Sequence, residues 1–411
     1  MQNILWAGMT RKKNTCNRAT SSHALSKAQE LNLLGALTIK ISGSNEVTIG
    51  NGAEGPRAIL SLPDEDTLQQ LLTGGSLAFA EAYLQSKWNS PNLTDLLEWC
   101  GYNQQALAPF IKKRMFPRLM ARARHLTRPN SLRGSRINIA AHYDLGNTFY
   151  SHWLDPTMSY SAGHFERPNS TLEEAQFSKF DYIIDSLGLK EGHHLLDIGG
   201  GWGGFACYAA TRIGCRVTVT TISKNQYEYI IRKVAQQKLG GLVRVLYSDY
   251  RRLSGSFDRI SSIEMLEAVG ERYWPQFANT INNLLTPNGR VFIQTIVIND
   301  IAFPSYRKNV DFIQKYIFPG GMLPSEEMLH HIFPKAEWLQ SPLQHSNANY
   351  PNTLKKWSAN FEKAWPKIQP LGFDNRFFRL WKYYLAYCEA GFRSGRLNLS
   401  QHIFERFSNG R

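Results

Sequence analysis

Between about residue 175 and residue 300 this chain alternates strand-like and helix-like runs, and one break in that rhythm constrains everything else. The runs "HLLDIG", "RVTVTT", "VRVLYS", "FDRISSI" and "RVFIQTIVI" are apolar and β-branched. Between them lie "GFACYAATRI", "NQYEYIIRKVAQQ" and "RYWPQFANTINNLL", which have helical spacing. Such alternation predicts an α/β fold with a mostly parallel, doubly wound sheet, because parallel neighbours need a returning helix. The first strand breaks into five glycines within six positions, 199–204. Glycines there let the backbone turn sharply and let the N–H groups of the next helix face a ligand.

The setting of the loop narrows the ligand. Asp197 precedes Gly199, Gly201 and Gly203, so a carboxylate stands before the turn. It suits the ammonium of a methionine portion better than a pyrophosphate. A nicotinamide protein would carry an acid at the end of the second strand. Here that strand runs into Thr221, Ile222, Ser223, Lys224, Asn225 and Gln226, with no acid. After the third strand, Asp249 and Tyr250 are suited to bracketing adenine. S-adenosylmethionine is the favoured reading of these residues, with a dinucleotide or a structural turn left as alternatives.

Charge and cysteine use bound the partners. The formal net charge is +14, which points to a polyanion, either nucleic acid or an anionic membrane surface. Residues 99–143 hold no Asp or Glu, and nine Lys or Arg fall between 112 and 136. That stretch reads either as a solvated linker or as a basic amphipathic surface for anionic lipid. No apolar run reaches the ~18 residues of a membrane span. The N-terminus lacks the order of a signal peptide, since its apolar patch precedes its basic one. Five cysteines without metal-ligand spacing fit a reducing cytoplasm and predict no metal site. The expected organisation is a basic tail (1–28), a small α+β domain (29–104), a basic connector (105–139) and a cofactor-binding domain (140–411). In the small domain "ALTIKI" and "RAILSL" read as strands, and "DEDTLQQLLTGG" and "LAFAEAYLQSKW" as two helices.

Six stretches, in order, carry a resemblance to a known family: "AAHYDLGNTFYSHWLDPTMSYSAGHF" (140–165), "LLDIGGGWGGFA" (195–206), "TISKNQ" (221–226), "SIEMLEAVGERYW" (262–274), "KYIFPGGMLPS" (315–325) and "YYLAYCEAGFRSGRLNLSQHIF" (383–404). The chain resembles the cyclopropane fatty acid synthase family of S-adenosylmethionine-dependent methyltransferases, which includes the mycolic acid cyclopropane synthases. "GSLAFAEAYLQSKWNSPNLTDLL" (75–97) is similar to the N-terminal domain of full-length bacterial members. The resemblance implies a Rossmann-like methyltransferase domain with a seven-stranded sheet and helical lid insertions. It places the cofactor against Tyr160 and Ser161, against Leu196, Asp197, Ile198, Gly199, Gly200, Gly201, Trp202, Gly203 and Gly204, against Thr221 to Gln226, and against Asp249 and Tyr250. His142, Tyr143 and Asp144 match the motif ahead of that site; taken alone they read as an ordinary helix start.

The resemblance also implies the reaction. Members methylate an alkene within a phospholipid acyl chain, which leaves a carbocation that must lose a proton. That chemistry needs a dry pocket, aromatic faces that tolerate a cation and a base. Glu267, Tyr350, Gln294 and Ile296 match pocket positions. Tyr316 and Phe318 would face the acyl chain or close over it, or would simply be core aromatics. Cys388 matches a cysteine associated with catalysis, although proton loss needs no thiolate and packing is the preferred role. Three departures stand out. Tyr-Ser-Cys of the family is Tyr160-Ser161-Ala162 here, His-Thr-Ile is Gln294-Thr295-Ile296, and Glu-His-Val-Gly is Glu267-Ala268-Val269-Gly270. The replaced Cys and the first His belong to the set that holds bicarbonate, the family's proposed base, so the case for bicarbonate is weakened.

The expected activity is therefore that of a peripheral enzyme on the inner face of the membrane, making a cyclopropane fatty acid from an unsaturated phospholipid. The departures also raise a methylene- or methyl-branched product, which a separate reductase would saturate. A small-molecule N-methyltransferase is the other alternative. A homodimer is compatible with this reading. Nucleic acid is not an expected partner, because no RNA-binding module accompanies the charge.

Overall fold

The computed structural model describes residues 26–52, 54–110, 130–143, 145–334, 337–338 and 348–405. The tail 1–25, most of the basic stretch (111–129) and Asp144 lie outside the described residues, as do the side chains of His142 and Tyr143. The chain divides into two compact units, Met1–Met120 with Asp374–Ser394, and Ala121–Phe373 with Gly395–Arg411.

The first unit carries a three-stranded sheet in the order β2-β1-β3. Strands β1 (Ala36–Ile41) and β3 (Arg57–Leu62) pair in parallel, and β2 (Val47–Ile49) is antiparallel to β1. Helix α1 (Glu65–Leu84) is broken at Gly75, whose φ of 72° is non-helical, so the two expected helices meet at a kink. Helix α2 is Leu93–Tyr102. The late helix Asn375–Arg393 folds with this unit and not with the residues that flank it in sequence. Its ionic groups explain why. The Arg379 guanidinium lies 3.7 Å from the centroid of the Tyr83 ring and donates to Tyr83 O and Trp88 O. Arg393 pairs with Glu98 at 2.7 Å and with Asp95 at 3.3 Å. Assigning 140–411 to one continuous domain therefore misses this excursion.

The second unit is built on a seven-stranded sheet in the order β6-β5-β4-β7-β8-β10-β9. The strands are β4 (His194–Ile198), β5 (Arg216–Thr221), β6 (Val243–Tyr247), β7 (Phe257–Ile263), β8 (Leu285–Ile298), β9 (Glu337–Trp338) and β10 (Leu397–Glu405). β4 pairs in parallel with both β5 and β7, and β7 pairs in parallel with β8. β10 runs antiparallel to β8 and to the short β9. Strand order reverses at β4, and the crevice at such a switch point, beyond the carboxyl ends of the strands, is where ligands bind in open α/β sheets.

Burial explains the strand sequences. β4 and β5 are buried along nearly their whole length, as strands covered on both faces must be. Neighbouring residues point to opposite faces: Leu195, Phe292 and Ile403 join one core, Leu196, Val291, Ile293 and Phe404 the other. Helices α3 (Leu172–Leu187), α4 (Gly204–Ile213) and α5 (Lys224–Gln236) contribute to the first core, and α6 (Trp274–Leu284) to the second. Helix α3 starts at a capping box, with Glu174 N–H donating to Thr171 Oγ1 and Thr171 N–H to Glu174 Oε2, and stops at left-handed Gly188. Helix α7 is Asn349–Ile368. Among the described residues no helix is long and apolar enough to cross a membrane.

Phe277 on α6 is fully buried and its ring packs 5.2 Å from Tyr250 and 6.4 Å from Phe333. Replacing it with Ala removes the ring and leaves a cavity, so Phe277→Ala is expected to cost about 3–5 kcal/mol. Urea unfolding followed by circular dichroism measures this; a loss below ~1 kcal/mol would contradict the packing described.

Candidate active site

The site begins at the glycine turn after β4. Gly201 has φ 55° and faces open space where a Cβ would stand, so the turn presents bare backbone at the switch point. A Cβ at Gly200 would lie 2.4 Å from Val219 and 2.5 Å from Asp197 Oδ2, which leaves room for glycine alone. Asp197 is buried and accepts from Ser261 Oγ at 2.8 Å. Its other oxygen has no hydrogen-bond partner among the described residues, and burial raises its pKa to about 6. A buried carboxylate oxygen left open beside a turn whose backbone faces open space at Gly201 fits the ammonium of a methionine portion.

Two other segments close on the turn. The Trp202 indole N–H donates to Asn147 Oδ1, and Asn147 Nδ2 donates to the carbonyl of Asn225. Asn147 thus ties the glycine turn to the segment after β5. There Thr221 Oγ1 donates to Gln226 Oε1 and accepts from Ser223 N–H, and Ser223 caps α5. Lys224 turns to solvent and pairs with Glu228. Leu196 and Ile198 are core residues beneath the turn. Tyr160 lies in an aromatic group, with ring centroids 5.2 Å from Trp357 and 5.6 Å from Trp153 and Tyr150.

Asp249 has a partner that the sequence did not foreshadow. Its carboxylate accepts from Arg251 Nε at 2.8 Å and from Nη2 at 2.7 Å. Arg251 also donates to Asn130 O and Ser135 Oγ. Asp249 therefore fixes an arginine, and the Tyr250 ring belongs to the core against Phe277.

The sharpest feature is a pair of carboxyl groups after β7. Glu264 Oε1 accepts from Ala162 N–H at 2.9 Å and from Gln294 Nε2 at 2.8 Å, and Oε2 accepts from the Tyr350 hydroxyl at 2.6 Å. Glu267 Oε1 accepts from Ile296 N–H at 2.6 Å and Thr295 Oγ1 at 3.0 Å. Its other oxygen is buried without a hydrogen-bond partner among the described residues. Gln294 is turned by Gln401 on β10, whose amide nitrogen donates to Gln294 Oε1 at 2.7 Å. That leaves the Gln294 NH2 facing the carboxylate, the one orientation its chemistry allows.

Buried Lys179 on α3 completes the charge balance. Its ammonium donates to Ser161 Oγ and Gln176 Oε1. Desolvation lowers its pKa to about 8, against the upward pull of Glu264, Asp155 and Asp197. Burial also raises Glu264, while Tyr350, Ala162, Lys179 and Gln294 oppose that rise. Glu267 has weaker support and feels the charge of Glu264, so after desolvation its pKa climbs to about 8. The two environments differ, with the negative charge favoured on Glu264 and the proton on Glu267.

Glu267, Tyr350, Gln294 and Ile296, named from the sequence, thus converge with Ala162. Tyr316 packs against Phe312, and the loop carrying Phe318 is pinned where Met322 N–H donates to Glu267 O. Cys388 belongs to the helix Asn375–Arg393 of the other compact unit. Sequence reasoning missed Glu264, Lys179, Gln401 and Asn147. A signal for Lys179 existed: Gln176, Lys179, Phe180 and Ile183 share one face of α3, so two polar residues occupy core positions.

A bicarbonate between the positions of Ala162 and Gln294 does not fit. Ala162 has no thiol, Gln294 has no charge, and the Ala162 N–H, the Tyr350 hydroxyl and one N–H of the Gln294 amide are already given to Glu264.

Comparison with known proteins identifies the family. Residues 130–402 match the family described as mycolic acid cyclopropane synthetase. The chain belongs to that family. A tuberculostearic acid methyltransferase of Mycobacterium tuberculosis is 35% identical over 371 residues, covering 85% of this chain and 84% of that protein. The cyclopropane-fatty-acyl-phospholipid synthase of Escherichia coli K12 is 33% identical over 351 residues, covering 85% and 88%. A crystal structure of a mycolic acid cyclopropane synthase complexed with SAH and CTAB superposes with a TM-score of 0.61 at 30% identity, covering 66% of this chain and 98% of that one. This member is accordingly an S-adenosylmethionine-dependent methyltransferase with the family's α/β fold.

The raised pKa of Glu267 has a consequence for stability. Between its ordinary value of 4.5 and about 8, the folded chain holds a proton that the unfolded chain has released. Stability contributed by this group is therefore full below pH 4.5 and is lost as pH rises toward 8. Glu267→Gln cannot titrate, so its melting temperature relative to wild type should rise progressively from pH 5 to pH 8. Calorimetric melts across that range measure the difference; a pH-independent offset would exclude the titration.

Proposed function

We propose that this methyltransferase transfers a methyl group from S-adenosylmethionine to the double bond of an unsaturated acyl chain in a membrane phospholipid. The observation that carries the reading is the carboxyl pair Glu264 and Glu267, buried beside an aromatic group that includes Tyr160 and Trp357. An alkene needs no activating nucleophile or metal. It needs an electrophilic methyl, which the cofactor supplies, cation-tolerant ring faces, a dry enclosure and a base. Among the described residues there is no metal-ligating cluster.

The chain's own residues divide that work. The glycine turn from Gly199 to Gly204, with Asp197, would hold the methionine portion; Thr221 to Gln226 would line the nucleoside end. Tyr160 and its neighbouring rings would face the positive centre. The carboxyl pair would take up the proton that the methylated chain must lose. The net charge of +14 supports attraction to an anionic membrane surface. The names of the two relatives, a cyclopropane-fatty-acyl-phospholipid synthase and a tuberculostearic acid methyltransferase, support an acyl substrate. A branched product is the second reading, raised by the replacements at Ala162 and Gln294.

The test is mass spectrometry of unsaturated phospholipid vesicles incubated with the purified protein and methyl-labelled S-adenosylmethionine. Gain of one labelled methylene unit on the acyl chain is the expected result, and fragmentation separates a ring from a branch. Cofactor binding without any acyl labelling would overturn the reading.

A further inference from the structure

Glu264 is not among the positions that the family resemblance assigns, yet it has the most specific surroundings in the site. Its donors arrive from three separate segments: the backbone of Ala162, the amide of Gln294 on β8 and the hydroxyl of Tyr350 on α7. A fourth group, the buried ammonium of Lys179, adds its field from α3. The residue also sits at φ 51°, a left-handed conformation that costs a non-glycine residue energy and persists when its surroundings enforce it. An acid whose role was packing alone would be better replaced by glycine here. A strained backbone and three convergent donors mark a carboxylate held in place for use.

We propose that Glu264 is a built-in general base: its carboxylate stands where other members of the family recruit bicarbonate, and it takes the proton from the methylated acyl chain. The replacements at Ala162 and Gln294 then have one explanation. A small residue at 162 leaves room for a glutamate side chain and offers its N–H, and a neutral amide at 294 donates to the carboxylate without a charge of its own. Gln401 holds that amide in its donating orientation.

The step balances without an added oxidant or reductant. One alkene carbon bonds to the incoming methyl carbon as the methyl–sulfur bond breaks, and that bonding pair leaves with the sulfur. The neighbouring alkene carbon is left electron-deficient. A methyl C–H bond then gives its proton to a Glu264 oxygen and its electron pair to a bond with that carbon, closing a ring. Where a hydride first shifts from the methylated carbon to its neighbour, the same proton loss instead makes a carbon–carbon double bond and leaves a methylene. Protonated Glu267, lying nearby, donates instead of competing for that proton.

This inference rests on the acyl methylation proposed above, and the experiment separates the two. Wild type, Glu264→Gln and Glu264→Gly are assayed for methyl transfer in carbon-dioxide-free buffer and again with bicarbonate or formate. SAH affinity is measured by calorimetry, and binding of 13C-bicarbonate to wild type by NMR. Wild type should be equally active with and without bicarbonate and should bind none. Glu264→Gln should lose about 10²–10⁴-fold in rate with SAH affinity unchanged. Glu264→Gly, at a φ that glycine adopts freely, should fold and recover activity with the small anions. A Glu264→Gln rate within fivefold of wild type overturns the proposal. So does wild-type activity that requires bicarbonate, or bicarbonate binding to wild type. If wild type labels no lipid under any condition, the acyl reading fails, while the bicarbonate titration still decides whether Glu264 fills that position.

Discussion

A carboxylate taken out of water must find donors, and the Glu264 carboxylate organises this site by that requirement. Each hydrogen bond it accepts reaches a different part of the chain: Ala162 is 102 residues away in sequence, Tyr350 is 86 and Gln294 is 30. The cost of burying an unpaired charge is several kcal/mol, so the segment 160–165, β8 and the start of α7 are locked together. Further bonds reinforce the same joint, since Gly163 N–H donates to Thr353 Oγ1 and Phe165 N–H to Asn349 Oδ1. The segment bearing Tyr160 and Ser161 is thereby fixed relative to the sheet, and Lys179 fixes Ser161 from below.

The sheet supplies the place where this can happen. Because strand order reverses at β4, the ends of β4 and β7 open onto one crevice. β4 delivers the glycine turn and Asp197, while β7 delivers Glu264 and Glu267. β8, next in the sheet, delivers Gln294 and Ile296 beside them. The antiparallel β10 lies against β8 in a register that sets Gln401 opposite Gln294. A one-residue slip would turn Gln401 to the other face of the sheet and leave the Gln294 amide unoriented.

What the sequence made legible was local. Strands β1 and β3 coincide with "ALTIKI" and "RAILSL", and the glycine turn announces itself because its conformational demand falls on adjacent residues. The three-residue β2 is too short to leave a pattern. β10, "LNLSQHIFE", hides behind polar residues whose partners lie far earlier in the chain, Gln294 for Gln401 and Glu326 for Ser400 and His402. The excursion of helix Asn375–Arg393 into the first unit depends on Arg379 and Arg393 meeting Tyr83 and Glu98, and no local periodicity encodes such meetings. The same reason hid Glu264. In "SIEMLEAVG" it stands three residues before Glu267, and as a lone acid it carries no mark of its donors. Its left-handed backbone is also invisible in the letters. The replacements at Ala162 and Gln294 were legible as departures, but their meaning required seeing that both touch the same side chain.

The two glutamates show how one short turn can hold an acid and a base together. Both are removed from water, and both are pushed toward the neutral form. If their surroundings were equal, they would share a proton and neither role would be defined. The surroundings are unequal. Glu264 has a hydroxyl, a backbone N–H, an amide and a nearby ammonium. Glu267 has Ile296 N–H and the Thr295 hydroxyl on one oxygen and nothing among the described residues on the other. The charge therefore settles on Glu264, and that charge in turn raises Glu267 and keeps it protonated. Glu267 is then available to donate from its uncommitted oxygen, and Glu264 retains the lone pairs that a departing proton needs. In this arrangement the position of Lys179 matters as much as either acid. Its ammonium offsets the negative charge of a site that would otherwise hold Asp197, Asp155 and Glu264 with little to compensate them.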